Sequence, residues 1–429
     1  MKRVLILFGI LFFGIFDLSR GMSVPPIPTK AEVSAPAAET PKKAAPKKKK
    51  AVKKAAPEPI KLDIIPVPDS DKEDTESGET GVAENIASAE QLYAAVLLGE
   101  EHGEIFFSEN SSVKWPLASL TKMMSLLVVD DAVNAGKIAL TDKIAIPKAA
   151  IGIGGSGIPM KSGETFTVED LIKAAGIYSA NNAIYALADH VGGSIADFVD
   201  MMNDKARELG LENELEFHTP AGLPTHITKK DMDMGTAMGV YKLAVEFVKR
   251  KRLMAVAGTA AETIHGGKIK LTNRNKLIGE RGIYGIKTGY HSKSGYNIAI
   301  VTDRNGLRII TVVLGGKSYR ERDAVALAYV DSFDAHFAVK QILDESRALA
   351  RIPVIHGASE FIDLYPDRTY GRVIKVNDNV NIKIKRSAKV IAPVEKNEIL
   401  GTYAIYIRDE KIIEGNLRTR DDVKLKLTF

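Results

Sequence analysis

Apolar and polar residues alternate in several different ways along this chain of 429 residues, and each pattern predicts its own kind of segment. Residues 4–16 form an almost unbroken apolar run behind Lys2 and Arg3. This arrangement is typical of the core of an export signal, and it is short for a membrane span. Small residues at 19 and 21 predict a signal of residues 1–21, with an uncleaved anchor as the alternative. Either form predicts export to the periplasm or to another extracytoplasmic part of the cell envelope.

Residues 22–86 show no apolar periodicity and predict a disordered linker. Eight lysines and no acid occur between Lys42 and Lys54, whereas residues 69–79 carry six acids and one lysine. Such charge blocks, mixed with Ala and Pro, cannot form a core. A solvated spacer is the main interpretation. The alternative is a weak contact of the lysine-rich block with an anionic envelope surface.

Regular patterns begin near residue 87. They predict a hairpin over residues 93–109 and a central buried helix over 119–135, closed by Gly136. Thr167 is the predicted cap of a further helix, with Asp170 at the capping-box position. The remaining predictions are a strand over 282–290, a hairpin turning at Asn305-Gly306, a helix over 322–349, and strands that include 380–385 and 423–429.

These elements predict an α+β, multidomain protein. Residues 87–350 are expected to form the main domain, an antiparallel sheet flanked by helices. After Pro353 the pattern is that of strands alone, so residues 351–429 are expected to form a small all-β domain. The sequence closes on a predicted strand and not on an amphipathic helix, so no C-terminal membrane anchor is expected.

The amino-acid composition excludes several kinds of catalytic site and binding partner. Hydrophobic residues make up 45% of the chain and charged residues 26%, as in ordinary globular proteins, and the net charge of +5 indicates no nucleic-acid partner. The chain has no cysteine, which excludes thiol catalysis and Cys-ligated zinc. Its eight histidines include no His-Glu-x-x-His pair, so neither a metal nor another cofactor is expected.

The first candidate catalytic residues are Ser119 and Lys122, which lie three residues apart at the start of the predicted central helix. Residues three apart lie on one helix face, with Cβ atoms roughly 5–6 Å apart. A neutral lysine there can take the serine proton, which requires that burial or a second cation lowers its pKa from about 10.4. Ser111 and Lys114 have the same spacing, but a Trp-Pro pair follows them and no helix is expected there.

Two later segments carry further polar groups. Ser179 and Asn181 lie between predicted helical segments, where a hydroxyl and an amide can relay a proton and hold a substrate amide; a helix cap is the alternative. Lys287, Thr288 and Gly289 end a predicted strand. The glycine lets a substrate backbone approach, and the lysine and threonine can hold a carboxylate.

A glycine-rich segment over residues 152–164 lacks the adjacent Gly-Lys of a phosphate loop, so a loop that lines the site or the surface is expected. Lys-Ser-Gly, which looks like the Lys-Thr-Gly motif, occurs at 161–163 and 293–295. The first precedes Ser179 in the chain, and the second follows the strand instead of ending it. Lys287 is therefore the better candidate.

In this order, Ser-x-x-Lys, Ser-x-Asn and Lys-Thr-Gly resemble the three motifs of the penicillin-recognising serine enzymes. From about residue 87 to residue 429 the sequence resembles the D-alanyl-D-alanine carboxypeptidases among the low-molecular-mass penicillin-binding proteins. The resemblance implies a β-lactamase-like, penicillin-binding transpeptidase fold and a serine-type carboxypeptidase activity. It also implies a peptidoglycan stem peptide ending in D-Ala-D-Ala as substrate, and acylation of the same serine by β-lactam antibiotics.

The resemblance also implies roles for individual residues. Ser119 is implied to be the acylated nucleophile, Lys122 its general base, and Ser179 the group that passes a proton to the leaving D-alanine. Asn181 is implied to orient the substrate peptide, and Gly289 to let the substrate backbone approach. Lys287 is implied to supply positive charge and Thr288 to bind the terminal carboxylate of the substrate, with Arg274 and Arg322 near that carboxylate. The backbone N–H groups of Ser119 and Tyr290 are implied to form the oxyanion hole.

Other functions share these motifs. A D,D-endopeptidase acting on cross-linked peptidoglycan uses the same residues and stays open. A class A β-lactamase is less expected, because Glu212, Glu214 and Glu216 lack the Glu-x-x-Leu-Asn pattern of those enzymes. An inactive envelope-binding module is the alternative outside enzymes, and the intact motifs argue against it. Tyr290 follows Lys-Thr-Gly where many relatives carry another residue, so the rate of deacylation is not predicted.

Overall fold

A computed structural model describes residues 92–426. The predicted export signal (1–21) and the predicted linker (22–86) lie outside the described residues. The described chain divides into two compact units, the first ending at Val339 and the second beginning at Lys340.

The first unit is built on a five-stranded antiparallel sheet. Its strands, in chain order, are β1 (Ala95–Glu100), β2 (Ile105–Glu109), β3 (Ile283–His291), β4 (Gly295–Arg304) and β5 (Leu307–Gly316). In the sheet they stand in the order β3-β4-β5-β1-β2, with every pair antiparallel. The predicted hairpin β1–β2 is confirmed. Asn305 and Gly306 both have positive φ, 54° and 84°, as the predicted two-residue turn between β4 and β5 requires.

Apolar residues on both faces of this sheet are buried, so both faces are covered. Ala95 and Leu97 belong to the large core of the first unit, whereas Val96 and Leu98 point to the opposite face and are also buried. The helices of this unit are α1 (Lys122–Asn134), α2 (Val168–Lys173), α3 (Asn181–Gly192), α4 (Ile195–Glu208), α5 (Thr225–Thr228), α6 (Ala237–Val248), α7 (Lys251–Ala257) and α8 (Tyr319–His336). Of these, α6, α7 and α8 contact the sheet directly.

Two predicted helix signals are confirmed. The side chain of Thr167 accepts a hydrogen bond from the N–H of Asp170 and caps α2. Gly136, with φ of 68°, follows α1 in the left-handed conformation that ends many helices. Helix α1 is buried along most of its length, as an apolar helix must be.

Short elements complete the first unit. The 3₁₀ turns are Ala118–Thr121, Lys148–Ala150 and Glu280–Gly282, and a π-helical turn spans Ala174–Tyr178. Seven small strands form one three-stranded and two two-stranded sheets, namely Trp115–Pro116, Lys143–Ala145, Thr165–Thr167, Leu215–Glu216, Met234–Gly235, Ala261–Ile264 and Ile269–Thr272.

The predicted helix over 322–349 is wrong in its extent. Helix α8 ends at His336, and a strand follows at Phe337–Leu343. Phe337 and Val339 are buried while Lys340 is exposed. Apolar residues two apart favour a strand, in which alternate side chains share a face, over a helix.

The second unit is an all-β structure around its own core. Its strands, in chain order, are β6 (Ala350–Ile355), β7 (Phe361–Pro366), Tyr370–Lys375, β8 (Val380–Arg386), β9 (Val390–Ile391), β10 (Ile399–Ile407) and β11 (Glu410–Thr419). Six of them form one sheet in the order β8-β10-β11-β7-β6-β9. Strand β8 is the predicted strand at 380–385. Its Ile382 is packed against the core while Lys383 is exposed.

The predicted strand over 423–429 is wrong for the part that the structure describes. Val423 forms an isolated bridge with Val394, and Leu425 forms one with Gly357. The two bridges use different partners, so no continuous ladder forms. Among residues 92–426, no helix is both long and apolar enough to span a membrane.

Candidate active site

Ser119 lies in the 3₁₀ turn Ala118–Thr121, directly before helix α1. The helix therefore begins three residues later than the sequence indicates. Ala118 has φ of 48°, which is rare for a residue other than glycine and is typical of strained functional positions. The turn is also tightly packed, because a Cβ on Gly222 would lie 1.7 Å from the Ala118 carbonyl oxygen. The Ser119 side chain remains partly exposed.

Lys122 is completely buried and meets three oxygen atoms. Its Nζ lies 2.8 Å from Ser119 Oγ, 2.7 Å from Asn181 Oδ1 and 2.9 Å from the Ala221 carbonyl oxygen. The amide and carbonyl oxygens can only accept. They take the two N–H groups of a neutral amine, so its lone pair faces the Ser119 hydroxyl. This geometry suits a lysine that removes the serine proton.

The electrostatics support the neutral form. Burial lowers the pKa of Lys122 well below its ordinary value, and the positive charge of Lys287 lowers it further. Asp233 opposes both effects, because its negative charge stabilises the ammonium form. The predicted depression of the Lys122 pKa thus has two identifiable causes.

Lys287 lies on strand β3 and is also buried. Its Nζ donates to Ser179 Oγ at 2.8 Å and to the Thr288 carbonyl oxygen at 2.9 Å. Burial, followed by the charges of Arg274 and Arg322, lowers the pKa of Lys287 to about 7. The second and third motifs are therefore in direct contact.

Ser179 follows the π-helical turn Ala174–Tyr178 with φ of 67°. The chain then enters α3 at Asn181, whose N–H donates to the Ser156 carbonyl oxygen. Asn181 Nδ2 donates to the Gly154 carbonyl oxygen at 2.8 Å. The glycine-rich segment 152–164 thus contacts Asn181, as a loop that lines the site would.

Strand β3 packs against the Ser119 turn because residue 289 has no side chain. A Cβ on Gly289 would lie 2.8 Å from the Leu117 carbonyl oxygen and 3.1 Å from the Ser119 nitrogen. Thr288 precedes it and is nearly buried. Tyr290 follows it and is 56% exposed, with its ring stacked on Tyr296 of the neighbouring strand at 4.2 Å.

The two predicted arginines are held differently. Arg322 is buried, donates to Asp323 Oδ1 and lies 3.4 Å from the Asn297 carbonyl oxygen. Arg274 is exposed, and its guanidinium lies 4.1 Å from the centre of the Tyr178 ring. Both charges act on Lys287, so both arginines belong to the same electropositive region.

The alternative motif copies are not part of this cluster. Ser111 is hydrogen-bonded to Ser108, and Lys114 lies 4.0 Å from Glu216. Lys161 and Lys293 are exposed. Of the glutamates considered for a β-lactamase, Glu214 pairs with Lys242 and Glu216 with His218.

Sequence reasoning missed several residues that hold the site. Asn297 donates from Nδ2 to the carbonyl oxygens of Pro116 and Leu117 and accepts from Gly315 N–H. A polar residue between the apolar positions of strand β4 was its only signal. Trp115 donates from Nε1 to the Ser294 carbonyl oxygen at 2.7 Å, just before the Ser119 turn. Asp233 had no signal in the sequence.

Comparison with known proteins now identifies the family. The sequence profile of the D-alanyl-D-alanine carboxypeptidase family matches residues 82–318. The chain belongs to this family. A second profile, that of the C-terminal domain of penicillin-binding protein 5, matches residues 337–425.

Individual carboxypeptidases support the assignment. DacC of Escherichia coli is 34% identical over 345 residues, which cover 77% of this chain and 84% of that protein. DacF of Bacillus subtilis is 29% identical over 343 residues, covering 78% of this chain and 87% of that protein. Penicillin-binding protein 5 from Haemophilus influenzae has a crystal structure with a TM-score of 0.58 and 26% identity, covering 78% and 98% of the two chains.

The predicted fold and the predicted serine-type carboxypeptidase activity are confirmed. The carboxypeptidase family supplies the reaction class, and the motifs of the family converge on one cluster in the first unit. Among the described residues, no three His, Cys, Asp or Glu side chains are arranged to hold a metal ion.

Proposed function

We propose that this carboxypeptidase removes the terminal D-alanine from peptidoglycan stem peptides through an acyl-enzyme on Ser119. The observation that carries the proposal is the contact of Lys122 Nζ with Ser119 Oγ at 2.8 Å. Because Asn181 and Ala221 occupy the N–H groups of the neutral amine, the lone pair is directed at the hydroxyl.

Acylation then takes two steps. Lys122 removes the Ser119 proton as Oγ attacks the carbonyl carbon of the D-Ala–D-Ala bond, and the N–H groups of Ser119 and Tyr290 stabilise the oxyanion. The bond to the leaving nitrogen breaks, Ser179 gives its proton to that nitrogen, and the proton that Lys122 took from Ser119 replaces it on Ser179, so that Lys122 is neutral again. Lys287 donates to Ser179 and assists this transfer. Water then hydrolyses the ester and restores Ser119.

The terminal carboxylate is proposed to bind at the electropositive region. Thr288 supplies a hydroxyl, and Lys287, Arg274 and Arg322 supply positive charge. Arg322 is already fixed by Asp323, so it loses little conformational entropy when the substrate binds.

Asn181 has two tasks in this proposal. Its Oδ1 holds Lys122 and its Nδ2 holds Gly154. A carboxamide oxygen has two lone pairs and its nitrogen has two hydrogens, so one position on each atom is left for the substrate peptide.

The substrate, the inhibitors and the cellular location of the protein are also proposed. β-Lactams as acylating inhibitors agree with the names of similar penicillin-binding proteins. Peptidoglycan as substrate is proposed from the carboxypeptidase family, and export to the periplasm or cell envelope is proposed from the apolar run at residues 4–16. A D,D-endopeptidase activity uses the same residues and is the second candidate, and a comparison of a free pentapeptide with a cross-linked dimer separates the two. A contact of the lysine-rich linker with an anionic envelope surface is a further proposal.

Labelling with a fluorescent penicillin tests the site. The wild type is expected to become labelled, and Ser119→Ala is expected to lose all label. Ser111→Ala, at the other Ser-x-x-Lys spacing, is the matched control and should keep it. Label that persists in Ser119→Ala would contradict the assignment of the nucleophile. D-alanine release from a free pentapeptide and cleavage of a cross-linked dimer into its two peptides, measured side by side, separate carboxypeptidase from endopeptidase activity.

A further inference from the structure

Asp233 is a buried carboxylate close to the catalytic cluster, and none of the three motifs includes it. It is 2% exposed and lies between helix α5 and the short strand Met234–Gly235. Among residues 92–426 no lysine or arginine forms an ion pair with its side chain. Burying an unpaired carboxylate is costly unless hydrogen bonds replace its water.

Three donors replace that water. Asp233 Oδ1 accepts from the N–H groups of His218 at 2.5 Å and Thr219 at 2.9 Å. Its Oδ2 accepts from the Thr219 hydroxyl at 2.6 Å. The carboxylate therefore fixes the start of the turn formed by residues 218–223.

Thr219 passes this constraint along the turn. Its Oγ1 accepts from the N–H groups of Gly222 at 2.9 Å, Leu223 at 3.3 Å and Ala221 at 3.4 Å. Because the hydroxyl donates to Asp233, its lone pairs are directed towards these N–H groups. The orientation of the Ala221 peptide thus depends on the Thr219 side chain.

The Ala221 carbonyl is the group that receives the Lys122 amine, at 2.9 Å. A hydrogen bond from Ser125 Oγ to the Pro220 carbonyl, at 2.7 Å, ties the same turn to helix α1. The main chain of Asp233 also acts on the other reactant, because its carbonyl accepts from Leu117 N–H at 2.9 Å. Leu117 enters the turn that carries Ser119.

We propose that Asp233 is a positioning residue for acylation, which holds the Lys122 amine on Ser119 through Thr219 and the Ala221 carbonyl. It touches neither the substrate nor the reacting atoms. Its task is to fix two segments that are distant in sequence on either side of the Ser119–Lys122 contact.

Electrostatics give this residue a second effect that can be measured. Lys122 faces two charged groups, Lys287 and Asp233, and only Asp233 favours its ammonium form. Burial raises the pKa of Asp233 to about 6, while its hydrogen bonds and the nearby His218 oppose that rise. Replacing Asp233 by a neutral group removes both its own ionisation and its effect on Lys122. Both changes extend activity towards lower pH.

The test is the rate of acylation by a β-lactam as a function of pH, in the full chain. Asp233→Asn is expected to lower the maximal rate about ten- to hundred-fold, the size of effect that a misplacement of about 1 Å produces. The acid limb of the profile is expected to move to lower pH, and non-covalent affinity for the β-lactam is expected to stay the same. Asp231→Asn, an exposed acid on the same segment, is the matched control.

A second pair of variants keeps the proposal testable if Asp233→Asn does not fold. Thr219→Val removes the hydroxyl at nearly constant volume and should lower the maximal rate, whereas Thr219→Ser should restore it. Wild-type acylation by Asp233→Asn or Thr219→Val would overturn the proposal. So would a lower maximum in Asp233→Asn with an unmoved acid limb, which indicates general damage.

This inference rests on the proposed roles of Ser119 and Lys122, and the same assay distinguishes the two failures. A wild-type protein that β-lactam does not label would contradict those roles. A labelled wild type with an equally fast Asp233→Asn would contradict only the role of Asp233.

Discussion

Asn181 holds Lys122 in place, because its carboxamide oxygen accepts from the lysine amine at 2.7 Å. The two residues are 59 positions apart in the chain, and one belongs to the first motif and the other to the second. Their contact makes the neutral amide at position 181 a determinant of the lysine charge. A carboxylate at the same position would favour the ammonium form, which cannot act as a base.

Asn181→Asp is expected to raise the pKa of Lys122, since a negative charge within hydrogen-bonding distance of an amine typically shifts its pKa by about 1–3 units. Acylation at pH 7 should therefore fall about ten-fold or more, and the acid limb of the rate profile should move to higher pH. The measurement is β-lactam acylation from pH 5 to pH 10. Asn182→Asp is the neighbouring control, because Asn182 contacts Ile158 and not Lys122. A limb that stays in place would show that Asn181 does not act on the lysine charge.

Ser179→Ala is expected to slow the release of D-alanine more than the binding of the peptide. The hydroxyl accepts from Lys287 at 2.8 Å, and its loss interrupts the proposed path of the proton to the leaving nitrogen. General acid–base groups typically contribute about 10²–10⁴-fold, so kcat should fall within that range with KM little changed. The measurement is steady-state D-alanine release. If the wild type and Ser179→Ala have equal kcat values, Ser179 does not take part in the mechanism.

Recognition of the substrate carboxylate is expected to weaken above pH 7. Burial lowers the pKa of Lys287 to about 7, so its positive charge is present below that pH and is lost as the pH rises through it. The measurement compares acylation by a penicillin with acylation by its methyl ester. The ratio of the two rates should fall between pH 6 and pH 9, and Lys287→Gln should remove this pH dependence. A ratio that stays constant with pH in the wild type would contradict the proposed role of the Lys287 charge in carboxylate recognition.

Gly289→Ala is expected to slow acylation by about 10²-fold. The added Cβ would lie 2.8 Å from the Leu117 carbonyl oxygen, so strand β3 would have to move away from the Ser119 turn. A displacement of about 1 Å costs roughly 10²-fold in rate. Gly157→Ala is the matched control, because its Cβ would meet only the Asn182 side chain at ordinary contact distance, 3.4 Å. Penicillin labelling of both variants at matched concentration is the readout.

Asn297→Ala is expected to lower stability as well as activity. The buried side chain bonds to Pro116, Leu117 and Gly315, and a buried group left without its partner costs about 1–3 kcal/mol. The free energy of unfolding should therefore fall by about 2 kcal/mol or more. Chemical denaturation of the wild type and the variant measures this loss. Unchanged stability together with slower acylation would show that Asn297 only orients the Ser119 turn.

The sequence predicted those features that depend on neighbours in the chain. The Asn305-Gly306 turn follows from local backbone preferences, and so does the cap at Thr167. The ordered motifs predicted Ser119, Lys122, Ser179 and Lys287 as candidate site residues, although only the fold brings them together. The extent of α8 was wrong because the strand-like spacing of the apolar residues at 337 and 339 covers too few residues to mark the end of a predicted helix.

Asp233 could not be predicted for a different reason. Its partners are backbone N–H groups and a threonine hydroxyl, which any sequence can supply. Its proposed role depends on the turn formed by residues 218–223 and on the contact of that turn with Lys122. Contacts of this kind come from tertiary packing and leave no periodic or compositional trace.

The hydrogen bond of Trp115 has a practical consequence. This residue is the single tryptophan of the whole sequence, and its indole is tied to Ser294 immediately before the turn that carries Ser119. Its emission therefore comes from one known place beside the nucleophile. A shift in intrinsic fluorescence can follow formation and decay of the acyl-enzyme in a stopped-flow instrument, with no dye attached and no substitution made.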